Sequence, residues 1–434
     1  MKCRFHIITY GCQMNRYDSS TLSEYLISRG HRWVDNLDDA DLIVVNTCAV
    51  RQHAENRAIG RLKSIVARKK KNHNLKIGIM GCIAQQNGEK LFEIIPQLDF
   101  VVGTDQLPVI AQIAEGKFRC GTFVNANTDF MGIDSIPSIT PGQVSTFITI
   151  MRGCDNFCSY CVVPYVRGRE RSLPDEKILD EIARVVDNGI KEITLLGQNV
   201  NSYRYENVDF PALLEKVAQI PGVERIRFVT NHPKDFSDKI LDVLEKYPRK
   251  IPPAFHLPLQ SGSADILSAM NRKYSPDEYI ALIENIYRRF PHSAISTDII
   301  VGFPGESEQD FQATLNMMKA VNFSGVFAFR YSIRPGTAAE KLHHDVPEEL
   351  KIQRLNQVIR LGIQLANNFS ENLVGTIQDV LVERVSYKNP GKLRCTAPSG
   401  RTVLIDENSA EIGQIVPVKI TAAKTWVLWG KIIS

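Results

Sequence analysis

The sequence predicts a mixed α/β protein made of three successive parts. Strand–helix repetition runs through residues 2–118, resumes in a longer series over 145–371, and gives way to β-rich sequence over 372–434. A stretch dense in Asn, Thr, Gly and Pro at 119–144 separates the first two parts, as is typical of a linker. The 434 residues are enough for several domains, each with its own core.

The first part contains three short apolar runs rich in Ile and Val, which are typical of buried strands: CRFHIITY, ADLIVVN and LKIGIM. Helical patterns lie between them, the first being DSSTLSEYLISRG. We expect Asp18 or Ser19 to cap this helix and Gly30 to end it. Alternating strands and helices predict a parallel sheet with right-handed crossovers.

The second part contains six candidate strands, namely TFITIMRG, EITLLGQ, RIRFVT, AFHLPLQ, AISTDIIVGF and GVFAFRYS. Helical patterns fall near 174–188, 235–247, 276–290, 307–321 and 347–370. The pattern fits either an open doubly wound sheet or an incomplete β/α barrel. The third part, with Gly, Pro and Asn turns, predicts a small β-barrel. Its Trp426 and Trp429 would either offer an aromatic surface to nucleic acid or fill the core.

The composition is that of an ordinary soluble protein, with 44% hydrophobic and 23% charged residues. We expect no membrane span and no signal peptide, and therefore a cytoplasmic location. Nine cysteines in a reducing compartment favour metal binding or catalysis over disulfides. The net charge of +4 is modest, but residues 61–76 hold seven Lys or Arg and no acid. A second basic cluster holds Lys388, Lys392, Arg394 and Arg401; both clusters are either solvated faces or sites for a polyanion.

The sharpest local signal is RGCDNFCSYCVVPYVRG, which carries Cys154, Cys158 and Cys161 at C-x3-C-x2-C spacing. Three thiolates at this spacing can fold toward one point, and such soft donors suit zinc or an iron–sulfur cluster. Structural zinc usually takes four ligands, and no fourth Cys or nearby His follows. The trio therefore favours an iron–sulfur cluster with one iron open to a small molecule.

Three further cysteines follow the three predicted strands of the first part. Cys12, Cys48 and Cys82 are spaced 36 and 34 residues apart, one strand–helix–strand repeat each time. Because the carboxyl ends of parallel strands share one sheet edge, we expect these thiols to converge, with Gly11 and Gly81 permitting close backbone approach. The alternative is three small buried core residues, but three ligands again favour an iron–sulfur cluster. The remaining Cys3, Cys120 and Cys395 lack such positions and are predicted to be structural.

Together these stretches resemble the methylthiotransferase family of radical S-adenosylmethionine (SAM) enzymes over essentially the whole chain. The matching motifs are TYGCQMN, NTCAVR, GCDNFCSYCVVPYVRGRERS, LLGQNVNSY, HLPLQSGS and TDIIVGFPGE. The resemblance implies a central partial (β/α)6 radical-SAM barrel and a C-terminal TRAM-like, RNA-binding β-barrel. Gln13-Met14-Asn15, after the first cysteine, is similar to the branch that acts on N6-dimethylallyladenosine in tRNA.

The resemblance also implies site residues and cofactors. Cys154, Cys158 and Cys161 would hold the 4Fe–4S cluster that binds and cleaves SAM, and Cys12, Cys48 and Cys82 a second, auxiliary 4Fe–4S cluster. The implied SAM contacts are Tyr160, Gln198, Asn199, Gln260, Ser261, Asp298 and Ile300. The implied RNA contacts are Arg167, Arg169 and Arg171 (or, for these three, the SAM carboxylate), with Lys388, Lys392, Arg394 and Arg401 in the last part.

The implied activity is addition of a methylthio group to C2 of N6-dimethylallyladenosine at position 37 of tRNA, next to the anticodon. Aromatic C2–H resists acid–base attack, which explains a radical start from SAM, and the base must leave its loop to be reached. We expect as partners tRNA, a low-potential electron donor and a sulfur donor, and we expect a monomer.

Alternatives differ in substrate or in class. Within enzymes, the substrate would be threonylcarbamoyladenosine in tRNA or an aspartate of a ribosomal protein. Outside enzymes, the chain would be an iron–sulfur carrier, a redox-sensing RNA-binding protein or a zinc-stabilised one. Formation of 5′-deoxyadenosine from SAM and the iron and sulfide content separate these hypotheses.

Overall fold

The computed structural model describes residues 2–49, 52–118, 120–125, 139–343 and 346–433. Of the predicted linker, residues 119 and 126–138 lie outside this described part. The chain divides into two compact units. The first unit contains residues up to 139 with 152–155 and 161–171, and the second contains 140–151, 156–160 and 172 onward.

The first unit is built on a six-stranded parallel sheet of order β2-β1-β3-β4-β5-β6. The three predicted strands are β1, β3 and β4, which are neighbours; β2, β5 and β6 have two or three residues and went unnoticed in the sequence. The strands are β1 Arg4–Thr9, β2 Arg32–Trp33, β3 Leu42–Thr47, β4 Lys76–Gly81, β5 Phe100–Val102 and β6 Gly121–Phe123. The helices are α1 Gln13–Ser28, α2 Gln52–Val66, α3 Cys82–Asn87, α4 Lys90–Ile94 and α5 Leu107–Ala114.

Both faces of this sheet are buried. Leu42 and Val44 of β3 belong to one hydrophobic cluster, and Ile43 and Val45 belong to another. Successive side chains of a strand point to opposite faces, so a strand covered on both sides must be apolar throughout. The continuous run LIVV follows from this arrangement.

Helix α1 begins earlier than the sequence predicted. It starts at Gln13 with Cys12 in the N-cap position, so the expectation that Asp18 or Ser19 caps it is wrong. Asp18 lies inside the helix, 2% exposed, with its carboxylate paired to the guanidinium groups of Arg152 and Arg167. The Asp18 carboxylate therefore binds two arginines and does not accept a hydrogen bond from the backbone at the start of the helix.

The second unit contains two three-stranded parallel sheets, of order β13-β10-β7 and β14-β15-β16. These are the six predicted strands, with helices between them, and the predicted α/β fold class with its partial barrel is confirmed. The parallel strands are β7 Ser145–Thr149, β10 Glu192–Leu196, β13 Arg225–Phe228, β14 Ala254–His256, β15 Ala294–Val301 and β16 Gly325–Arg330. Minor strands are β8 Met151–Arg152, β9 Arg171–Ser172, β11 Arg204–Tyr205 and β12 Val208–Asp209. The helices of the second unit are α7 Asp175–Asp187, α8 Phe210–Gln219, α9 Asp238–Lys246, α10 Ala264–Ala269, α11 Pro276–Arg289, α12 Glu308–Val321 and α13 Glu348–Glu371, whereas α6 Val163–Val166 belongs to the first unit.

The last part of the second unit is a closed five-stranded barrel of order β17-β18-β19-β21-β20, as predicted. Its strands are β17 Ile377–Val385, β18 Lys392–Thr396, β19 Thr402–Asp406, β20 Ile415–Lys424 and β21 Val427–Ile432. Two arginines of β13 bind it. Arg225 donates to the carbonyl oxygens of Thr396 and Asp379 at 2.9 and 2.7 Å, and Arg227 donates to those of Pro398 and Ala397. The barrel is therefore held against the β/α core by guanidinium–carbonyl hydrogen bonds.

Among the described residues, no helix combines the length and the apolar character needed to span a membrane.

Candidate active site

The thiols of Cys12, Cys48 and Cys82 meet at one edge of the first unit's sheet. Cys48 and Cys82 directly follow β3 and β4, and Cys12 lies three residues after the end of the neighbouring strand β1. The Cys48 side chain hydrogen-bonds to both of the other thiols. Cys48 and Cys82 are each 3% exposed, whereas Cys12 is exposed to solvent. The convergence expected from parallel-sheet topology is therefore present, with one thiol at the surface.

Two glycines make this convergence sterically possible. A Cβ atom on Gly11 would lie 2.6 Å from Cβ of Cys48, and one on Gly81 would lie 2.5 Å from the carbonyl oxygen of Thr47. Both glycines have positive φ, +140° and +94°, which side chains disfavour. The sequence Gly-Cys at two of the three strand ends thus has a physical reason.

We expect Gly11→Ala to destabilise the first unit and impair its iron loading. The variant combines a disfavoured backbone conformation, costing about 1–2 kcal/mol, with an overpacking cost of about 1–3 kcal/mol. Gly30→Ala is the matched control, because Gly30 has φ +86° but nothing within 4 Å of the added Cβ. Urea unfolding and iron analysis of both variants measure the difference. Equal losses of stability in the two variants would show that the contact with Cys48 is unimportant.

A buried amide network holds the strand ends around the thiols. The Asn15 Oδ1 atom accepts a hydrogen bond from the Cys12 thiol at 3.3 Å. The Asn15 Nδ2 atom donates to Asn46 Oδ1 and to the Thr47 carbonyl at 2.9 and 3.0 Å. Asn15 is completely buried, so its position after the first cysteine has a structural reason independent of any substrate. Asn46 in turn donates to the Ser19 hydroxyl.

The electrostatics of the thiol site favour the thiolate form of Cys12 and Cys82. Hydrogen bonds from Cys48 lower the pKa of Cys12 to about 6 and the pKa of Cys82 to about 6, and the nearby charge of Arg167 lowers both as well. The pKa of Cys48 is raised in turn, by its hydrogen bonds to Cys12 and Cys82 and by burial. Burial opposes the charge of Arg167, but Cys82 and Asp18 keep its pKa above the ordinary value. Thiolates are the form in which cysteine binds iron, so a buried cation beside them suits a metal cluster.

The chemistry of the donor set, three cysteine sulfurs, suits an iron–sulfur cluster. In the described ranges, no group of three or more His, Cys, Asp or Glu side chains is arranged to hold a metal ion. The site has three neighbouring thiols, with Cys48 in contact with both of the others, and two of the three have a lowered pKa. Soft sulfur donors in threes are typical of a four-iron cluster that keeps one iron open.

The prediction that Arg167 contacts RNA phosphates is wrong. Arg167 is 4% exposed and its Nη2 atom lies 3.1 Å from Asp18 Oδ2, so it faces the thiol site and cannot reach RNA phosphates. Arg169 is exposed and forms two hydrogen bonds to the Asp155 carboxylate, at 2.7 and 3.2 Å. Arg171 lies 2.8 Å from the nearly buried Asp105. Of the three arginines predicted to contact RNA, Arg169 has an accessible charge.

The second cysteine set lies on the loop between β8 and α6. Within the first unit, the Val163 N–H donates to Cys161 Sγ at 3.5 Å and the Cys154 N–H donates to the Gly168 carbonyl at 3.3 Å. Within the second unit, buried Cys158 accepts a hydrogen bond from Arg272 Nη1 at 3.4 Å. Both ends of the loop are therefore tied down, and Cys158 has a cationic donor at its sulfur.

Arg272 is a site residue that the sequence analysis missed. Its side chain is buried, donates from Nη2 to the Pro258 carbonyl at 2.9 Å, and contacts the Tyr274 hydroxyl through Nε at 3.0 Å. The local motif NRKY does not indicate that its arginine hydrogen-bonds to a cysteine 114 residues earlier in the chain.

The predicted SAM-contact residues lie in three kinds of place: Gln198, Asn199, Gln260 and Ser261 follow strands β10 and β14, Asp298 and Ile300 lie within β15, and Tyr160 lies on the cysteine loop. Gln260 is 7% exposed and has a left-handed φ of +69°, and Asn199 is 2% exposed and donates to Asp235 at 2.7 Å. Ser261 is fully buried and hydrogen-bonded to the Thr314 hydroxyl and the Ser263 N–H. Gln198 and Asp298 are half-buried, and Tyr160 and Ile300 pack against one hydrophobic cluster with Phe303 and Tyr331.

Four buried polar atoms at these strand ends have no hydrogen-bond partner within the described part of the chain. Two belong to predicted residues, Asn199 Oδ1 and Gln260 Oε1; Asn231 Oδ1 and His232 Nε2, after β13, were missed. His232 Nδ1 accepts from the Lys234 N–H, so its Nε2 carries the proton. Burial lowers the pKa of His232 to about 2, so the ring is neutral. Buried polar atoms are normally satisfied, so these four atoms fit a polar ligand such as SAM.

Known proteins are similar to this chain over almost its whole length. Three family models match: "Uncharacterized protein family UPF0004" over residues 4–103, the Radical SAM superfamily over 148–318 and the TRAM domain over 371–433. A tRNA-2-methylthio-N(6)-dimethylallyladenosine synthase of Thermodesulfovibrio yellowstonii is 43% identical over 99% of this chain and 98% of its own. A protein of the same name from Clostridium novyi is 41% identical over 99% of this chain and 96% of its own.

The chain belongs to the tRNA-2-methylthio-N6-dimethylallyladenosine synthase family. Among solved structures it is similar in fold to the radical SAM methyltransferase TsrM from Kitasatospora setae, with a TM-score of 0.61 and 13% identity, over 91% of this chain and 81% of that one. The radical SAM enzyme OxsB gives a TM-score of 0.55 at 14% identity, over 83% of this chain and 56% of that one. These distant structures support the fold alone.

The TRAM barrel distributes its predicted RNA contacts unevenly. Lys388 is exposed, while Lys392 pairs with Asp406 at 2.6 Å and Arg394 lies 3.6 Å from Glu383. The prediction that Arg401 contacts RNA is wrong: Arg401 is 4% exposed and donates to the carbonyl oxygens of Ser324 and Ala366. It is a docking residue between the TRAM barrel and the β/α core.

Proposed function

We propose that this chain is a methylthiotransferase that modifies C2 of N6-dimethylallyladenosine at position 37 of tRNA. The observation that carries the proposal is the meeting of three thiols at the ends of β1, β3 and β4, in a chain that also carries the C-x3-C-x2-C loop. One cluster loop would suffice to start radical chemistry. A second thiol site supports a reaction that also handles sulfur.

In this proposal each thiol set holds one 4Fe–4S cluster. Cys154, Cys158 and Cys161 hold the cluster that works with SAM, and Cys12, Cys48 and Cys82 hold the auxiliary cluster. A reduced iron–sulfur cluster together with SAM supplies one-electron chemistry able to activate an aromatic C–H bond. An external low-potential electron donor and a sulfur donor complete the reaction, which we place in the cytoplasm with its tRNA substrate.

The chain's own residues contribute positioning and charge. In the β/α core, the unsatisfied atoms of Asn199, Asn231, His232 and Gln260 offer one N–H donor and three oxygen acceptors to SAM. Neutral His232 donates without adding charge near Arg272. In the first unit, Arg167 balances the negative charge of the thiolates, and exposed Cys12 leaves the auxiliary site open to its sulfur source.

The net change at the base replaces C2–H with C2–S–CH3, the methyl group coming from SAM. The base must be turned out of its loop to present C2. The TRAM barrel, with Lys388 exposed, and Arg169 near the cysteine loop supply charge for tRNA phosphates.

Mass spectrometry of tRNA nucleosides from cells lacking this protein tests the proposal. We expect N6-dimethylallyladenosine to accumulate and its methylthio derivative to disappear, while other modified nucleosides keep their levels. Re-expression of the intact chain should restore the product. Loss of methylthio groups from threonylcarbamoyladenosine, or from a ribosomal-protein aspartate instead, would refute the substrate assignment. An unchanged nucleoside profile would refute the activity on tRNA altogether.

A further inference from the structure

One face of the β14-β15-β16 sheet carries a partly exposed cluster of aromatic and polar side chains that belongs to neither thiol site. Helix α13 covers the other face: a Cβ added to Gly362 of this helix would lie 3.0 Å from Cβ of Val326. Since strand side chains alternate, Gly325 and Phe327 point to the side away from α13. Phe327 is 48% exposed there, a large exposure for an aromatic side chain in the middle of a strand.

The neighbouring strands add an imidazole and a carboxylate to the same face. In the sheet register His256 pairs with Ser296, and Asp298 pairs with Phe327. The His256 Nδ1 atom lies 3.1 Å from the Ser296 hydroxyl, and its Nε2 atom lies 3.4 Å from Asp298 Oδ2. The His256 and Phe327 rings meet edge to face at 5.8 Å.

The TRAM barrel places a second aromatic ring on this face. A Cβ on Gly325 would lie 3.0 Å from Trp426 Cη2 and 3.6 Å from Ser296 Cβ, so the indole occupies the space that a side chain would fill. The Arg401 guanidinium lies 4.4 Å from the Trp426 ring centre and 5.2 Å from that of Phe369. Trp426 is nevertheless 44% exposed. The Trp426 indole therefore contacts the Arg401 guanidinium on one side and remains accessible to solvent elsewhere.

We propose that this aromatic face, consisting of Phe327, Trp426, His256 and Asp298, binds unpaired bases of the RNA loop that contains the target adenine. The inference rests on the proposed function for the identity of the RNA. Single-stranded RNA is bound chiefly by stacking on aromatic rings and by hydrogen bonds to base edges. Phe327 and Trp426 supply the rings, and the His256–Asp298 pair supplies a donor and an acceptor.

The position of the face suits this role. It runs along β15 from Ser296, beside Trp426, to Ile300 near the carboxyl end of the strand, about 13 Å at the usual rise per residue. Gln260, with its unsatisfied Oε1 atom, pairs with Ile299 at that end. RNA whose bases stack on this face would therefore extend toward the carboxyl ends of the strands, where the target base has to bind.

The test measures binding of the holoprotein to an unmodified anticodon stem–loop RNA, with a duplex RNA of equal length as a second probe. We expect Phe327→Leu and Trp426→Leu each to weaken stem–loop binding about tenfold and to leave duplex binding unchanged. Phe327→Tyr and Trp426→Phe, which keep a planar ring, should retain most of the affinity. Ile359→Ala, an exposed residue of α13 on the covered side of the sheet, is the matched control and should bind normally.

Iron content and SAM affinity, measured for each variant, show whether the fold has survived. Normal stem–loop affinity in both leucine variants would overturn the inference, and so would an equal loss for duplex RNA, which would point to charge instead of stacking. Because the RNA probe lacks the dimethylallyl group, the result does not depend on the substrate assignment. Ring-dependent stem–loop binding in a protein whose deletion leaves tRNA unchanged would support the inference and refute the proposed function.

Discussion

Cys48→Ser is expected to abolish methylthio transfer while leaving SAM cleavage intact. Cys48 is the central member of the first unit's thiol trio, hydrogen-bonded to Cys12 and Cys82, so its loss removes the contact that unites the three. A hydroxyl is a poor ligand for iron where a thiolate is required. Under the proposed two-cluster arrangement, iron and sulfide should fall from about eight to about four per chain.

The measurements are anaerobic iron and sulfide analysis, 5′-deoxyadenosine formation, and methylthio product on dimethylallylated tRNA. Cys3→Ser is the matched control, because Cys3 lies at the opposite, amino-terminal end of β1 and burial raises its pKa to about 11. If Cys48→Ser kept the full iron content and product yield, the trio would be three small core residues. If it lost SAM cleavage as well, the two thiol sites would not be separable in function.

Arg272→Gln is expected to lower the reduction potential of the cluster that we propose on the cysteine loop, and to slow SAM cleavage. Burial opposes the charge of Arg272, but Tyr160, Tyr274 and Cys158 around it keep its pKa above the ordinary value, so it stays cationic. Its Nη1 atom lies 3.4 Å from Cys158 Sγ. A positive hydrogen-bond donor at a ligating sulfur stabilises the reduced cluster, and glutamine removes the charge.

At a fixed reductant potential, each shift of about 60 mV changes the reduced fraction about tenfold, so the cleavage rate reports the effect sensitively. Redox titration followed by electron paramagnetic resonance gives the potential directly. Arg272→Lys keeps the charge, so its reduction potential should lie between those of the unaltered chain and Arg272→Gln. Lys273 is an exposed neighbour, and Lys273→Gln should have the potential of the unaltered chain. A fully loaded Arg272→Gln protein with an unchanged potential would mean that the guanidinium serves only to hold Pro258 and Tyr274.

The convergence of Cys12, Cys48 and Cys82 could be predicted because it depends on the parallel-sheet topology, which the alternation of strands and helices in the sequence indicates. The buried strands β1, β3 and β4 stand out as apolar runs, and parallel strands place their carboxyl ends at one edge. The six strands of the β/α core and the closed five-stranded barrel were predictable for similar reasons, since each has a strong periodic pattern with turn residues between strands. The short strands β2, β5 and β6 carry too few residues to produce a pattern.

The roles of the arginines could not be predicted. Arg167 and Arg401 occur in basic stretches and look like surface residues, yet both are 4% exposed. Arg167 hydrogen-bonds to Asp18, a residue 149 positions away. Arg401 hydrogen-bonds to two backbone carbonyls and lies against two aromatic rings. An arginine's long side chain can reach many partners, so its role depends on contacts that are remote in sequence.

Local sequence thus determined the longer strands, their parallel direction and the cysteines that follow three of them, because hydrophobic periodicity and chain connectivity are written residue by residue. Tertiary structure alone decided which charges are buried beside thiols, which polar atoms remain unsatisfied at the strand ends, and that Trp426 lies over Gly325. These properties arise from contacts between distant segments, whose energies depend on distance and burial and leave no periodic signal in the chain.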